Sequence, residues 1–437
     1  MLRTAMTTPD RTRAAIDPRW DQETISRARL LVIGGGLVGK LAALFAAGLG
    51  FRQVVLVAAG ERLSPWQDRL WPDLELFRVF VKTRYSDVLF PVLSNPLPVQ
   101  LLGSLVRQPD VCIAVLDDPN TSDYVLQASQ LVDPSRRVYV RAKSKGAKVA
   151  VGCIPEDLPA DMPATAAGAL LGAGLALSEV RRLVAPCEDD CDPEGPISFM
   201  LPFLPARIRE LRMAGAGGTG TLFGLACRFV YNSLHIWDGD VVEASNLPRC
   251  PWLSTLGMNK ATDLANNIVP LGMGVSWTQA HPCHAGPDWL DGALPGCIAA
   301  FCTDTLAGRK ALNSAACKNG IPAVNMGTSL FGASVYAIGA GGPCLECRFP
   351  DLDDRIAAEA AEQRISCGRR PEAAASISNM IAAGAAGLIA PRLRVPGFTF
   401  PGVLSFDAFS PARLSLGSLR EPCGCFAKGG DLANVAV

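Results

Sequence analysis

The stretch LRMAGAGGTG, residues 211–220, decides the fold class of this chain. It places a short apolar strand before the spacing Gly215-x-Gly217-x-x-Gly220, and the helical pattern TLFGLACRFV and the strand SLHIWDGD follow. A strand, a glycine turn, a helix and a second strand open a Rossmann-like nucleotide-binding unit. The glycines permit a tight turn and let backbone N–H groups approach a phosphate at the start of the helix.

The same pattern occurs near the beginning of the chain. Residues 30–39 read LLVIGGGLVG and precede the helical pattern KLAALFAAGLG and the strand QVVLVAA. The copies differ where an acid would contact a ribose. Asp238 follows Gly217 by 21 residues, whereas the first copy has Val57-Ala58-Ala59 at the equivalent point. We therefore predict an α/β protein with two tandem Rossmann-like halves, of which the first has lost its nucleotide site.

A boundary between the halves is predicted in the segment CEDDCDPEGPISFMLPFLP, residues 187–205, which is rich in acid and proline. We predict a degenerate domain over residues 1–194 and an active domain over residues 195–437. The length of 437 residues is sufficient for about two to four domains.

The composition argues against partners held by bulk electrostatics, since 41 Lys and Arg residues balance 41 Asp and Glu residues. We therefore expect no nucleic acid and no membrane as a partner. Residues 373–390 carry no charge, but their Ala, Gly, Ser and Asn content favours a buried helix over a transmembrane span. The polar N-terminus lacks the apolar run of a secretory signal, which predicts a cytoplasmic protein.

Three charged residues follow the second glycine turn in an informative order. Arg249 and Lys260 supply two cations, and Asp304 stands after the apolar strand CIAAFC. A triphosphate requires Arg or Lys, and Mg²⁺ prefers an oxygen ligand such as a carboxylate. A dehydrogenase that uses NAD needs neither, so this set disfavours hydride transfer.

This order of motifs resembles the ThiF/MoeB and ubiquitin-activating family of adenylyltransferases. The corresponding residues here are Gly215–Gly220, Asp238 and Asp240, the run Ser245-Asn246-Leu247-Pro248-Arg249, Gly257–Lys260, and Asp304. The resemblance covers most of residues 205–425, and the N-terminal half resembles a degenerate copy that would form a pseudo-dimer with the active one. Cys250 stands where the family has Gln, and Thr305 where Asn is usual.

The resemblance implies a role for each matching residue. The residues that hold ATP would be Gly215, Gly217, Gly218, Gly220, Asp238, Asp240, Asn246, Arg249 and Lys260, and Asp304 would bind Mg²⁺. Family members also use an arginine from the N-terminal arm of the partner subunit. Arg19, in the run Arg19-Trp20-Asp21-Gln22, would be delivered to the active half within one chain; the alternative is an ordinary surface arginine.

The substrate implied by the resemblance is the C-terminal carboxylate of a small β-grasp, ubiquitin-like protein that ends in Gly. The fused layout resembles eukaryotic-type activating enzymes and their relatives in bacterial antiphage conjugation, which would add a conjugating enzyme as a further partner. Two alternatives stay open: adenylation of a sulfur carrier or a ribosomal peptide, and a non-catalytic scaffold or peptide-binding module of the same fold. The sequence leaves the oligomeric state undecided.

Five of the fifteen cysteines are candidates for chemistry. Cys344 with Cys347, and Cys423 with Cys425, form two close pairs that predict a structural Zn²⁺ in a C-terminal lobe, with free thiols as the alternative. Cys367 precedes Arg369, Arg370 and an apolar helix. The family places its nucleophilic cysteine in such a loop, so Cys367 would accept the acyl group as a thioester; the alternative is an inert loop cysteine.

Overall fold

The structure is a computed structural model, and it describes residues 11, 16–58, 71, 74–93, 97–106, 108–118, 120–156, 165–201, 207–228, 230–268, 277–339, 343–365, 375–395, 398, 400, 402–417 and 423–425. Within these ranges the chain forms two separate sheets, each flanked by helices.

The first sheet has seven strands, in the order β3-β2-β1-β4-β5-β6-β7. Their bounds are β1 Arg29–Ile33, β2 Gln53–Val57, β3 Val92–Leu93, β4 Val111–Val115, β5 Arg137–Lys143, β6 Gly146–Val151 and β7 Ile197–Met200. Strands β1 to β5 pair in parallel, and β6 and β7 add to the sheet in antiparallel register.

The second sheet has eight strands, in the order β10-β9-β8-β11-β12-β13-β14-β15. Their bounds are β8 Ile208–Ala214, β9 Tyr231–Trp237, β10 Trp277–His281, β11 Cys297–Phe301, β12 Ala323–Thr328, β13 Gly332–Ile338, β14 Val403–Asp407 and β15 Leu414–Gly417. Strands β8 to β12 are parallel and the last three are antiparallel. The order and orientation of the seven strands of the first sheet are thus repeated in the second, to which β15 is added, and this confirms the predicted pair of Rossmann-like units.

The helices follow the same repeat. Those before the second sheet are α1 Gln22–Arg27, α2 Leu37–Leu49, α3 Leu74–Arg84, α4 Val99–Val106, α5 Ser122–Ser129 and α6 Ala166–Val184. Those that accompany the second sheet are α7 Gly218–Cys227, α8 Lys260–Ile268, α9 Leu306–Asn319, α10 Leu345–Arg348, α11 Leu352–Ile365 and α12 Ser376–Ile389. Helices α2 and α7 each begin in a glycine turn.

Helices α6 and α12 pack directly against each other between the two sheets. Small residues allow this approach: a Cβ at Gly174 would lie 2.9 Å from Ile381 Cγ1, and one at Gly384 would lie 2.6 Å from the Leu171 nitrogen. One hydrophobic core therefore extends through both sheets. Helix α12 is buried, as predicted, and none of the helices in the described ranges has the length and apolar character to cross a membrane.

The predicted boundary at residues 194 and 195 falls inside the first sheet. Strand β7 lies beyond it and still pairs with β6. A boundary between Met200 and Ile208 would keep each sheet in one piece. The division into an inactive and an active domain stays a prediction.

Candidate active site

The second glycine turn joins β8 to α7 and has the geometry that the sequence predicted. Gly215 has a φ of +103°, and a Cβ there would lie 2.7 Å from the carbonyl oxygen of Cys302. A Cβ at Gly220 would overlap the Gly215 carbonyl oxygen. Gly217 caps the helix and faces open space, since no atom lies within 4 Å of its Cβ position. The N–H groups of the first helical turn can therefore meet a phosphate there.

Asp238 lies at the end of β9 and clamps this turn. Its Oδ2 accepts a hydrogen bond from the N–H of Ala216 at 2.6 Å, and its Oδ1 accepts one from the N–H of Asp240 at 2.8 Å. Burial raises the pKa of this carboxyl group, although these two N–H groups and the charge of Lys260 oppose the shift. The predicted ribose ligand is thus in place beside the turn, and its contact with a ribose stays a prediction.

Asp240 and Lys260 are brought together as an ion pair of 2.9 Å. Lys260 is the first residue of α8, and its N–H also donates to the Asp240 carbonyl oxygen. The side chain of Asn259 donates to the carbonyl oxygens of Asp238 and Asp240 at 2.7 and 3.1 Å. These hydrogen bonds and the ion pair fix the loop with Asp238 and Asp240 against the start of α8, where Lys260 lies.

The segment with Asn246 and Arg249 lies on the other side of the glycine turn. Asn246 is buried, and its Oδ1 accepts from the N–H of Glu243 at 2.9 Å. Arg249 donates to the Ser245 carbonyl oxygen at 2.6 Å, and its Cδ would lie 3.3 Å from a Cβ at Gly218. The guanidinium stem therefore passes along the first turn of α7.

Asn379 is a residue of this site that the sequence reading did not assign. It lies on α12 and accepts a hydrogen bond from Thr219 Oγ1 at 2.8 Å, and its amide nitrogen leaves no room for a Cβ at Gly218. In the sequence, the only indication of its role is a polar amide within a helix that is rich in Ala and Gly. Only the packing of α12 against α7 shows which turn it contacts.

Asp304 stands three residues after β11 and is exposed. The next residue, Thr305, caps α9 by accepting from the N–H of Gly308 at 3.2 Å. Arg309 donates to the Thr303 carbonyl oxygen at 2.9 Å, and burial lowers the pKa of its guanidinium. An exposed carboxylate on this well-fixed loop suits a Mg²⁺ ligand.

Arg19 contacts side chains of the second half. Its guanidinium lies over the rings of Phe331 and Phe409, 4.9 and 5.0 Å from their centroids, and it pairs with Asp17 at 2.8 Å. These contacts place it after the end of β14 and before the start of β13, beside the antiparallel strands of the second sheet and not on the glycine turn. A direct contact of Arg19 with a nucleotide stays a prediction.

Arg19 borders a groove of about 650 Å³ at this edge of the second sheet. Small side chains form much of its lining, and the charged residues among the lining positions are Asp17, Arg19 and Asp407. The lining residues are Asp17, Arg19, Gly327, Thr328, Ser329, Leu330, Phe331, Gly332, Ala333, Ser334, Ser405, Phe406, Asp407 and Phe409.

The four predicted zinc ligands lie together. The sulfur atoms of Cys344, Cys347, Cys423 and Cys425 are all within 4.8 Å of one another. Thiolates in a tetrahedral Zn²⁺ site are spaced in this way, because each Zn–S bond is about 2.3 Å. Asn313, on α9, accepts from the N–H of Leu345 at 2.9 Å and so fixes the turn that carries the first pair. The cluster is compatible with zinc.

Cys367 lies outside the described residues, so its predicted role as acyl acceptor stays a prediction.

Comparisons with known proteins agree with this site. Residues 206–395 match the ThiF family. No curated protein matches the chain.

Solved structures of MccB from E. coli are similar at low identity. The complex with AMPCPP and selenomethionine-labelled MccA has 13% identity and a TM-score of 0.39, and the match covers 49% of this chain and 65% of that one. The MccB structure with succinimide has 15% identity and a TM-score of 0.39, covering 49% and 64%. A third, with selenomethionine-labelled MccA, has 14% identity and a TM-score of 0.39, covering 50% and 66%. This chain thus spans just under two thirds of MccB.

The glycine turn, Asp238, Arg249, Lys260 and Asp304 all fall inside the matched range. Over residues 206–395 this chain is therefore similar to the ThiF family.

Proposed function

We propose that the second half binds ATP and adenylates the C-terminal carboxylate of a small partner protein. The observation that carries this proposal is the arrangement of Arg249, Lys260 and Asp304 around one glycine turn. Arg249 passes along the first turn of α7, Lys260 is tied through Asp240 to the loop that clamps the turn, and Asp304 follows the strand beside it.

The reaction needs positioning and charge neutralisation more than covalent help from the protein. A carboxylate oxygen of the partner attacks the α-phosphorus of ATP, and the bond from that phosphorus to the bridging oxygen breaks. The products are an acyl-adenylate and pyrophosphate. Arg249 and Lys260 bind phosphate oxygens, for which Lys260 exchanges its ion pair with Asp240. Asp304 would hold the Mg²⁺ that accompanies ATP, and this ion would supply further charge neutralisation.

The groove beside Arg19 supports a narrow, extended substrate. Its lining includes small residues, among them Gly327, Gly332 and Ala333. The Arg19 guanidinium can contact a carbonyl or carboxylate of the incoming segment. These features favour the tail of a ubiquitin-like protein that ends in Gly.

A second step at Cys367 completes the proposal. Its thiolate attacks the acyl carbon of the adenylate, a C–S bond forms, and AMP leaves with the electrons of the C–O bond. The thioester would then pass to a conjugating enzyme, as in an antiphage conjugation pathway. Without a thioester, the same adenylation would serve a sulfur carrier or a ribosomal peptide. A thioester adduct between the chain and the partner, cleaved by added thiol through acyl transfer and detected by mass spectrometry, separates the two.

Pyrophosphate exchange tests adenylation directly. We expect exchange of labelled pyrophosphate into ATP that depends on a partner ending in Gly, and at least a roughly 100-fold loss in Asp304→Asn, because the variant removes the carboxylate that holds the metal. Since Asp304 is exposed, the melting temperature should stay unchanged.

The matched control is Asp288→Asn, at another exposed aspartate of the same half. It should retain exchange. Equal exchange in both variants would contradict the role of Asp304, and no partner-dependent exchange in the unmodified chain would favour a non-catalytic scaffold of the same fold.

A further inference from the structure

The first half contacts the phosphate-binding segment of the second half at the carbonyl group of Pro248. Tyr85 is completely buried, and its hydroxyl donates to this carbonyl oxygen at 3.1 Å. Pro248 immediately precedes Arg249. Tyr85, which is 163 residues from Pro248 in the chain, therefore supplies a hydrogen bond to the backbone carbonyl group next to Arg249.

Gly48 contacts the same carbonyl oxygen from α2. A Cβ at Gly48 would overlap the Pro248 oxygen and would lie 3.1 Å from the Tyr85 hydroxyl. Gly48 lies inside the helix, where glycine costs about 1 kcal/mol relative to alanine. The close approach of Pro248 is a physical reason for that glycine.

Aromatic residues of the first half hold the other end of the segment. Trp252 is 3% exposed and packs against three rings of the first half. The ring centroids of Trp71, Phe45 and Phe80 lie 6.1, 6.4 and 6.4 Å from that of Trp252. Contacts with the first half therefore flank Arg249 on both sides.

We propose that the first half is a positioning element in cis for the anion-binding segment 245–252 of the second half. Tyr85 and Gly48 fix the backbone at Pro248, and the aromatic cluster fixes Trp252. Arg249 is thereby held along the first turn of α7 before a ligand arrives. The inference rests on the proposed function, because it assigns the ligand of Arg249 as the phosphates of a nucleotide.

Tyr85→Phe tests the contact with a minimal change. The variant leaves the Pro248 carbonyl group without its donor, which costs on the order of 1 kcal/mol and corresponds to roughly 3- to 10-fold weaker positioning. We expect the Kd for a non-hydrolysable ATP analogue with Mg²⁺, measured by calorimetry, and the KM for ATP in pyrophosphate exchange to rise by this factor. Amide hydrogen exchange of residues 245–252 should accelerate.

Tyr139→Phe is the matched control. It also removes a buried hydroxyl from the first half, one that contacts Ser129 Oγ at 3.4 Å in a separate hydrophobic cluster. It should leave the Kd and the exchange of residues 245–252 unchanged. Gly48→Ala should act in the same direction as Tyr85→Phe, and if that variant does not fold, Tyr85→Phe decides.

The outcomes separate this inference from the proposed function. If the unmodified chain binds the analogue but exchanges no pyrophosphate, adenylation fails, while the Kd and the hydrogen exchange still test the positioning. If Tyr85→Phe and Tyr139→Phe have the same Kd and the same exchange at residues 245–252, the first half does not position the segment. If the unmodified chain does not bind the analogue, the inference is likewise overturned.

Discussion

The two halves have an aspartate at equivalent positions, Asp117 and Asp304, but the two side chains lie in different environments. Ile33 and Ala214 each precede the first glycine of their turn, and they pair with Ala114 and Phe301 in the neighbouring strands. Asp117 and Asp304 each lie three residues beyond these partners, so the two aspartates occupy equivalent positions. Asp304 is exposed, whereas Asp117 is partly buried: its Oδ1 accepts from the N–H of Ala142 at 2.7 Å, and its Oδ2 is buried. The first half thus keeps the acid of this position but uses it inside the protein.

Burial raises the pKa of Asp117 to about 7. Because the unfolded chain loses this proton near pH 4, the folded state binds more protons between about pH 4 and 7, and stability falls as the pH rises through that window. We expect Asp117→Asn to raise the free energy of unfolding at pH 8 by on the order of 2 kcal/mol. The gain should vanish near pH 4.

Denaturant unfolding at pH 4 and pH 8 measures this difference. The control Asp118→Asn changes the neighbouring carboxylate. A gain from Asp117→Asn that is equal at both pH values would contradict a raised pKa.

Glycine residues set the starts of helices α2 and α7 and the end of α2. The helical pattern KLAALFAAGLG predicted a helix from residue 40, but α2 begins at Leu37, because the glycine turn itself is the first helical turn. The same holds for α7, which begins at Gly218. Helix α2 stops before Gly50, whose φ of +102° is the left-handed C-cap that glycine adopts at little cost. Spacing alone predicted these elements, and turn geometry set their ends.

The cysteine cluster joins two elements that are far apart in sequence, namely α10 and the segment after β15. We expect one Zn²⁺ per chain by elemental analysis, and its loss in Cys347→Ser because three thiolates bind less tightly than four. Chelation should lower the melting temperature. Cys283→Ser changes an exposed cysteine outside the cluster and should retain the metal. Full stability and no metal in the unmodified chain would indicate free thiols.

The two halves are also joined by a fully buried ion pair. Arg413, between β15 and the preceding strand, donates to Glu179 of α6 at 2.9 Å, and both side chains are 0% exposed. Glu179 also pairs with Arg182 at 2.8 Å. Removal of Arg413 therefore takes away one of the two cations that compensate the buried charge of Glu179.

We therefore expect Arg413→Met to reduce the free energy of unfolding by about 3 to 5 kcal/mol. Thermal and denaturant unfolding measure the loss, and the double variant with Glu179→Gln should lose less than the two single variants together. Arg355→Met is the control, since its pair with Asp351 at 2.8 Å is half exposed and should contribute less than about 1 kcal/mol. Similar losses in both variants would contradict a structural role for the buried pair.

The sequence by itself determined the two strand–glycine turn–helix units and the ordered set that includes Asp238, Lys260 and Asp304. These depend on short spacings, because neighbouring residues dictate a turn, a helix start and a strand end. The sequence also predicted that two close pairs of cysteines form one site, and in the structure the four sulfur atoms lie together.

Only the tertiary structure showed which residues of the two halves contact each other. Neither Tyr85 nor Gly48 carries a motif, and no spacing connects either one to Pro248. The same is true of Glu179 and Arg413, and of Asn379 at the glycine turn. These contacts arise because α6 and α12 bury one shared core between two sheets, and such packing depends on shape and on long-range approach of the chain rather than on local sequence pattern.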